Sequence, residues 1–193
     1  MPVAVVIRPG ETDFDQQGRV QGTLDLPLNA QGQRQVSEIV AVLRDRAIKQ
    51  ILTAPHDPAR STARLIGQAL GIGVKELDDL VNFDYGLWQG RCVEEIRRKN
   101  PKVFKQWSES PESVCPPGGE TCEEAFGRAR KALRKAMKRK DHFAVVCSEP
   151  MATLVECVLR HTEPALPPPC SRDRSSLVEF IELTKPETVA VSD

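Results

Sequence analysis

Apolar residues in this chain form short unbroken runs, separated by longer stretches in which they recur every three or four positions. Val3–Ile7 is a continuous apolar run, the pattern of a strand buried on both faces. Val36, Ile39, Val40 and Leu43 share one stripe of a helix predicted over Ala30–Arg46. Gln50–Thr53 predicts a second strand, Ala59–Leu70 a helix closed by Gly71, and Val74–Leu77 a further short strand. Helical pieces follow at Val93–Lys99 and Pro101–Glu109, then a turn-rich stretch to Pro116-Pro117-Gly118-Gly119. Thr121-Cys122-Glu123-Glu124 is a capping box that opens a helix to about Lys138. Phe143–Cys147 predicts a strand and Met151–His161 a helix. A loop rich in proline (Pro164, Pro167, Pro168, Pro169) leads to the apolar segment Leu177–Leu183 and an edge strand at Val189–Val191.

Strands in alternation with helices predict an α/β three-layer sandwich, a mostly parallel sheet with helices on both faces. No repeat or linker interrupts the order, so residues 1–193 are expected to form a single domain. In such a sheet, ligands sit beyond the carboxyl ends of the strands. The loops after Val3–Ile7, Gln50–Thr53 and Phe143–Cys147 should therefore converge on one pocket.

Composition narrows the partners. Lys plus Arg and Asp plus Glu balance at 27 each, so net charge disfavours nucleic acid. The long helix does carry a basic stripe (Arg128, Arg130, Lys131, Arg134, Lys135, Lys138, Arg139, Lys140), read as a solvated face with cations near its carboxyl end. No apolar run is long enough to cross a bilayer and no signal peptide opens the chain, so a cytoplasmic protein is expected. Cys92, Cys115, Cys122, Cys147, Cys157 and Cys170 contain no Cys-x-x-Cys pair. They read as reduced thiols, with no metal and no cofactor. The partner expected is an unknown protein or small-molecule ligand, and an oligomer stays open.

The chemistry lies in four motifs. Arg8-Pro9-Gly10-Glu11-Thr12 follows the first strand, with Gln21-Gly22, Asp25-Leu26-Pro27-Leu28 and Gly32 downstream. Thr53-Ala54-Pro55-His56-Asp57-Pro58-Ala59-Arg60-Ser61-Thr62-Ala63 follows the second strand. Asn82-Phe83-Asp84-Tyr85-Gly86-Leu87-Trp88-Gln89-Gly90 and Val145-Val146-Cys147-Ser148-Glu149-Pro150 complete the set. In this order they resemble the histidine phosphatase superfamily, the cofactor-dependent phosphoglycerate mutases and related phosphatases. The resemblance implies a phosphoglycerate-mutase-like fold with a cationic phosphate cradle.

Position by position, the resemblance also exposes departures. It places the nucleophilic histidine at Pro9, whose only nitrogen is an amide and cannot attack phosphorus. Arg8 matches the phosphate-binding arginine, whereas a second arginine is replaced by Pro58, and Arg60 lies about 200° away around the helix start. Asp15 stands where many members carry an asparagine, and Asn82 stands for the glutamate that protonates the leaving group. Ser148 replaces a histidine, and Glu149 and Pro150 replace two glycines. A charge contact at about 4 Å is worth about 4 kcal/mol near a protein surface, so losing several should abolish phosphoester binding in the family's manner.

The expectation from these residues is a catalytically inactive protein that binds a partner or ligand through the old scaffold. Its vestigial pocket would comprise Arg8, Pro9, Asp15, Pro58, Asn82, Ser148 and Glu149. That reading expects the pocket to be narrowed by its prolines, with Arg8 paired to Asp15 or Glu149. The alternative is an enzyme of altered chemistry using His56, Cys147, Ser148 or Glu149, with His56 bonded to Cys147 or Ser148 across an open cleft. An active phosphatase or mutase ranks last.

Overall fold

The computed structural model describes residues 1–139, 141–169 and 176–183. A five-stranded sheet contains β1 (Val3–Ile7), β2 (Gln50–Thr53), β3 (Val74–Glu76), β4 (Phe143–Val146) and β5 (Val178–Glu182) in the order β3-β2-β4-β1-β5. β1, β2, β3 and β4 pair in parallel, and β5 runs antiparallel along β1. β4 is buried at every position, as is β1 from Ala4 to Ile7. Such strands must be covered on both faces, which explains their near-continuous apolar runs.

Helices provide the cover. α2 (Ala30–Leu43) packs on α3 (Ala59–Leu70), and α6 (Cys122–Lys138) packs on α7 (Met151–Arg160). The right-handed crossover rule puts α2 and α3 on one face, because β1 to β2 to β3 steps in one direction, and α6 on the other, because β3 to β4 steps back. Asn29 caps α2 by accepting from the Gly32 amide at 2.7 Å, and the capping box of α6 forms as read, Thr121 and Glu124 each bonding the other's backbone amide. α2 ends three residues before Arg46. Leu43 is its last core contact, and Arg44, Asp45 and Arg46 are exposed. The expected edge strand at Val189–Val191 lies outside the described residues.

Two features escaped the periodicity reading. α1 (Asp13–Gln17) is a single turn with a capping box of its own, Thr12 and Asp15. In addition, α4 (Val93–Lys99) and α5 (Pro101–Glu109) build a second small core around Val20, Trp88, Ile96, Trp107 and Val114. Trp107 stacks 4.9 Å from Trp88 and 5.6 Å from Tyr85. Among the described residues, no helix is long and apolar enough to cross a membrane.

The loop after β1 is fixed by backbone contact. A Cβ on Gly32 would sit 2.2 Å from the Glu11 carbonyl oxygen, and one on Gly10 would sit 2.4 Å from the Gly32 carbonyl oxygen. The two backbones cross where no side chain fits, which pins the first turn of α2 against residues 10–11.

Candidate functional site

The carboxyl ends of β1 and β4 open into a cavity of about 490 Å³. β1 delivers Arg8, whose amide donates to the Leu177 carbonyl at 2.8 Å. The guanidinium then turns to α7. Its Nε donates to Glu149 Oε1 at 2.5 Å, and its Nη2 lies 2.9 Å from Glu156 Oε1. The second contact is an ion pair without hydrogen-bond alignment, since Glu156 Oε1 is buried and accepts no hydrogen bond. Burial pulls the Arg8 guanidinium down, but the charges of Glu149 and Glu156 outweigh it and hold Arg8 above its ordinary value.

Glu149 has a second task. Its Oε2 accepts from the Thr153 amide at 3.2 Å and the Thr153 hydroxyl at 2.8 Å. The carboxylate thus satisfies an orphan donor in the first turn of α7 and sits against the positive end of its dipole. A helix amino terminus that would otherwise favour an outside anion is occupied by the chain's own anion.

Glu156 projects from a helix whose other residues between Met151 and Leu159 are mostly buried and apolar. Burial pushes its carboxyl above the usual range, outweighing the nearby Arg8. A carboxylate in an apolar helical run must find a cation, and the cation it meets is Arg8.

Arg8, Pro9, Asp15, Ser148 and Glu149 all line the cavity. Asp15 also closes the α1 cap, accepting from the Thr12 amide and hydroxyl, both at 2.8 Å. Pro58 and Asn82 are not among the lining residues. Pro58 is buried at the start of α3, and Asn82 works as a brace. Its amide donates to the carbonyls of Gly22 and Glu149 at 3.0 Å each, and its oxygen accepts from the Met151 amide at 3.4 Å. The brace ties the third motif to the fourth. Arg60 stays outside the cavity, held by Asp57 at 3.3 Å and Asp25 at 3.5 Å.

Pro9 and Pro150 line the cavity of about 490 Å³, and Pro58, the third proline expected to narrow it, does not. Arg8 pairs with Glu149 as that reading allowed, and Glu156 takes the place considered for Asp15. Arg19 is a cation the sequence reading did not single out. It enters the cavity wall through bonds to the Gly90 carbonyl at 2.7 Å and Gln17 at 2.8 Å. The alternative constellation does not assemble either. His56 Nδ1 is buried without a partner, and burial pushes the fully enclosed Cys147 thiol far above the range in which a thiolate forms. Among the described residues, no group of three or more His, Cys, Asp and Glu side chains is disposed to hold a metal ion.

The sequence matches the family model "Histidine phosphatase superfamily (branch 1)" over residues 4–180. It is 30% identical over 142 residues to phosphoserine phosphatase 1 of Hydrogenobacter thermophilus, covering 74% of this chain and 67% of that protein. It is 37% identical over 135 residues to the uncharacterized phosphatase PhoE of Bacillus subtilis, covering 70% of this chain and 64% of that protein. Longer mycobacterial relatives are matched over 35% of their length. Among solved structures, Bacillus stearothermophilus YhfR superposes with a TM-score of 0.80 at 22% identity, over 94% of this chain and 91% of that one. This likeness shows the phosphoglycerate-mutase-like fold.

These relatives overturn the expectation of an inactive scaffold and, with it, the alternative of altered chemistry through His56, Cys147, Ser148 or Glu149. Phosphoserine phosphatase 1 and PhoE are each named as a phosphatase, not as an inactive protein.

Proposed function

We propose, from the premise that this chain belongs to the histidine phosphatase superfamily, branch 1, that it is a phosphatase-type hydrolase of a departing kind. It would hydrolyse a phosphomonoester in the cavity beside Arg8 without a phosphohistidine, because Pro9 occupies the position the resemblance assigns to that histidine. The observation that carries the reading is Arg8 itself. It is a half-buried guanidinium at the carboxyl end of β1, facing a cavity large enough for a small phosphomonoester.

The transition state of phosphoryl transfer is loose, with charge spread over the phosphoryl oxygens, so positioning and electrostatics do most of the catalysis. Water can then serve as nucleophile. A new O–P bond forms to water as the ester O–P bond breaks, and the leaving alcohol oxygen takes a proton from Glu156, whose raised carboxyl suits a general acid. A proton of the attacking water returns to Glu156, leaving phosphate and alcohol. Arg8 and Arg19 supply positive charge. To reach Arg8, the phosphate must displace Glu149 from its Nε.

The test is turnover by the purified protein on a panel of small phosphomonoesters, with and without added chelator. The expected result is phosphate release above a blank, lost at least a hundredfold in Arg8→Ala and reduced in Glu156→Gln. No release from any panel member, with the fold intact by circular dichroism, would sink the proposal.

A further inference from the structure

A second concavity, which shares no lining residue with the one beside Arg8, runs between α6, α7, Met1, Pro2 and Leu183. This groove of about 1450 Å³ has an apolar floor that includes Phe126, Met137, Val158 and Leu183. Its rim is cationic. Arg130, Arg134 and Lys138 stand at i, i+4 and i+8 on α6, all exposed and on one stripe about 12 Å long. Glu163 is the one carboxylate among the described lining residues.

Those three cations form no ion pair with any described residue. Their neighbours on the same helix do: Arg128 with Glu120 at 2.6 Å and Lys131 with Asp79 at 3.1 Å. Since the whole chain is charge-balanced at 27 against 27, the rim is a local excess without its counter-charge. An apolar groove edged by one sign of charge is the form that takes an amphipathic segment of the opposite sign.

We infer that the α6–α7 groove docks an acidic amphipathic helix of a partner protein. The partner's apolar stripe covers Phe126, Met137, Val158 and Leu183, and its carboxylates, one turn apart, meet Arg130, Arg134 and Lys138. Size favours a peptide over a metabolite, since the groove exceeds the roughly 300–1,000 Å³ of small-molecule sites. Concavity favours a segment over a membrane, which meets a flat or convex face.

The experiment is a selection of random 16-residue peptides on the immobilised full chain, followed by fluorescence anisotropy on the enriched peptides. Enriched sequences should be net acidic with apolar residues three and four apart. Their affinity should fall at least tenfold in 0.5 M NaCl, and at least tenfold for the doubly charge-reversed variant Arg130→Glu, Arg134→Glu. Circular dichroism of that variant checks its fold. Several outcomes overturn the inference: no enrichment, basic or charge-indifferent winners, affinity unmoved by the reversal, or binding to anionic phosphatidylglycerol vesicles in place of peptides. Tenfold tighter peptide binding by a chain ending at Leu183 would do the same, by showing that residues 184–193 are the occupant.

Discussion

Replacing Glu149 with glutamine should tighten phosphate binding at Arg8. In the native chain the Glu149 carboxylate holds Arg8 Nε at 2.5 Å, so an incoming phosphate meets both a repelling charge and an occupied donor. A carboxylate about 5 Å from a phosphate dianion opposes it by about 7 kcal/mol at an effective dielectric of about 20, and by about 2 kcal/mol in water. The Glu149 side chain is 35% exposed, so solvent screening makes the lower figure the working one. Two kcal/mol is about thirtyfold in the dissociation constant. Glutamine can still accept from Thr153, which keeps the start of α7 in place, and the assay is titration calorimetry with inorganic phosphate at low salt. A tenfold to thirtyfold fall in Kd is expected, with binding abolished by Arg8→Ala. An unchanged or weaker affinity in Glu149→Gln would show that Arg8 is not where the anion sits.

Three further outcomes are expected. Because burial raises the Glu156 carboxyl, the folded state keeps its proton above the ordinary glutamate value of about 4.3. The associated stability is full below that value and is lost as pH rises through the folded one. Thermal melts between pH 4 and pH 8 should slope less in Glu156→Gln than in the native chain, and parallel curves would count against this account. Gly32→Ala should lower stability by about 2 kcal/mol or more in urea unfolding, since its Cβ would press on the Glu11 carbonyl; an unshifted midpoint would refute the close crossing. With a disulfide-exchange reagent and peptide mapping, Cys115 should be modified and Cys147 left untouched, since one thiol is exposed and the other enclosed. Labelling of both at equal rates would show that the core around Cys147 opens.

The strands and long helices were legible because burial on two faces, or on one stripe, leaves a periodic trace. β1, α3 and α6 follow it almost residue for residue. What left no such trace was cross-chain hydrogen bonding. Asn82 reads in sequence as a replaced acid, but its amide and oxygen reach three backbone groups of two distant segments, a relation that spacing does not encode. By its place after the first motif, Asp15 reads in sequence as an anion-site residue. The local pattern Thr12-x-x-Asp15 already offered the capping role it performs in α1. Glu156 lies outside the four motifs, although a carboxylate in the run from Met151 to Leu159 is itself a signal of a buried ion pair. The antiparallel course of β5 depends on the connection after α7, where proline content says little about direction.

The cavity draws its two sides from different cores. Arg8, Ser148 and Glu149 extend from the ends of β1 and β4, whose packing belongs to the sheet, whereas Val20 and Trp107 on the opposite side belong to the cluster built by α4 and α5. Tyr85 bridges them, its ring 4.9 Å from Phe83 in the large core and 5.6 Å from Trp107 in the small one. Charge and shape in this site are therefore separable quantities. Sequence drift in residues 93–114 can reshape the aromatic wall while the sheet and its arginine stay fixed, so chains with the same strands can diverge in what they admit.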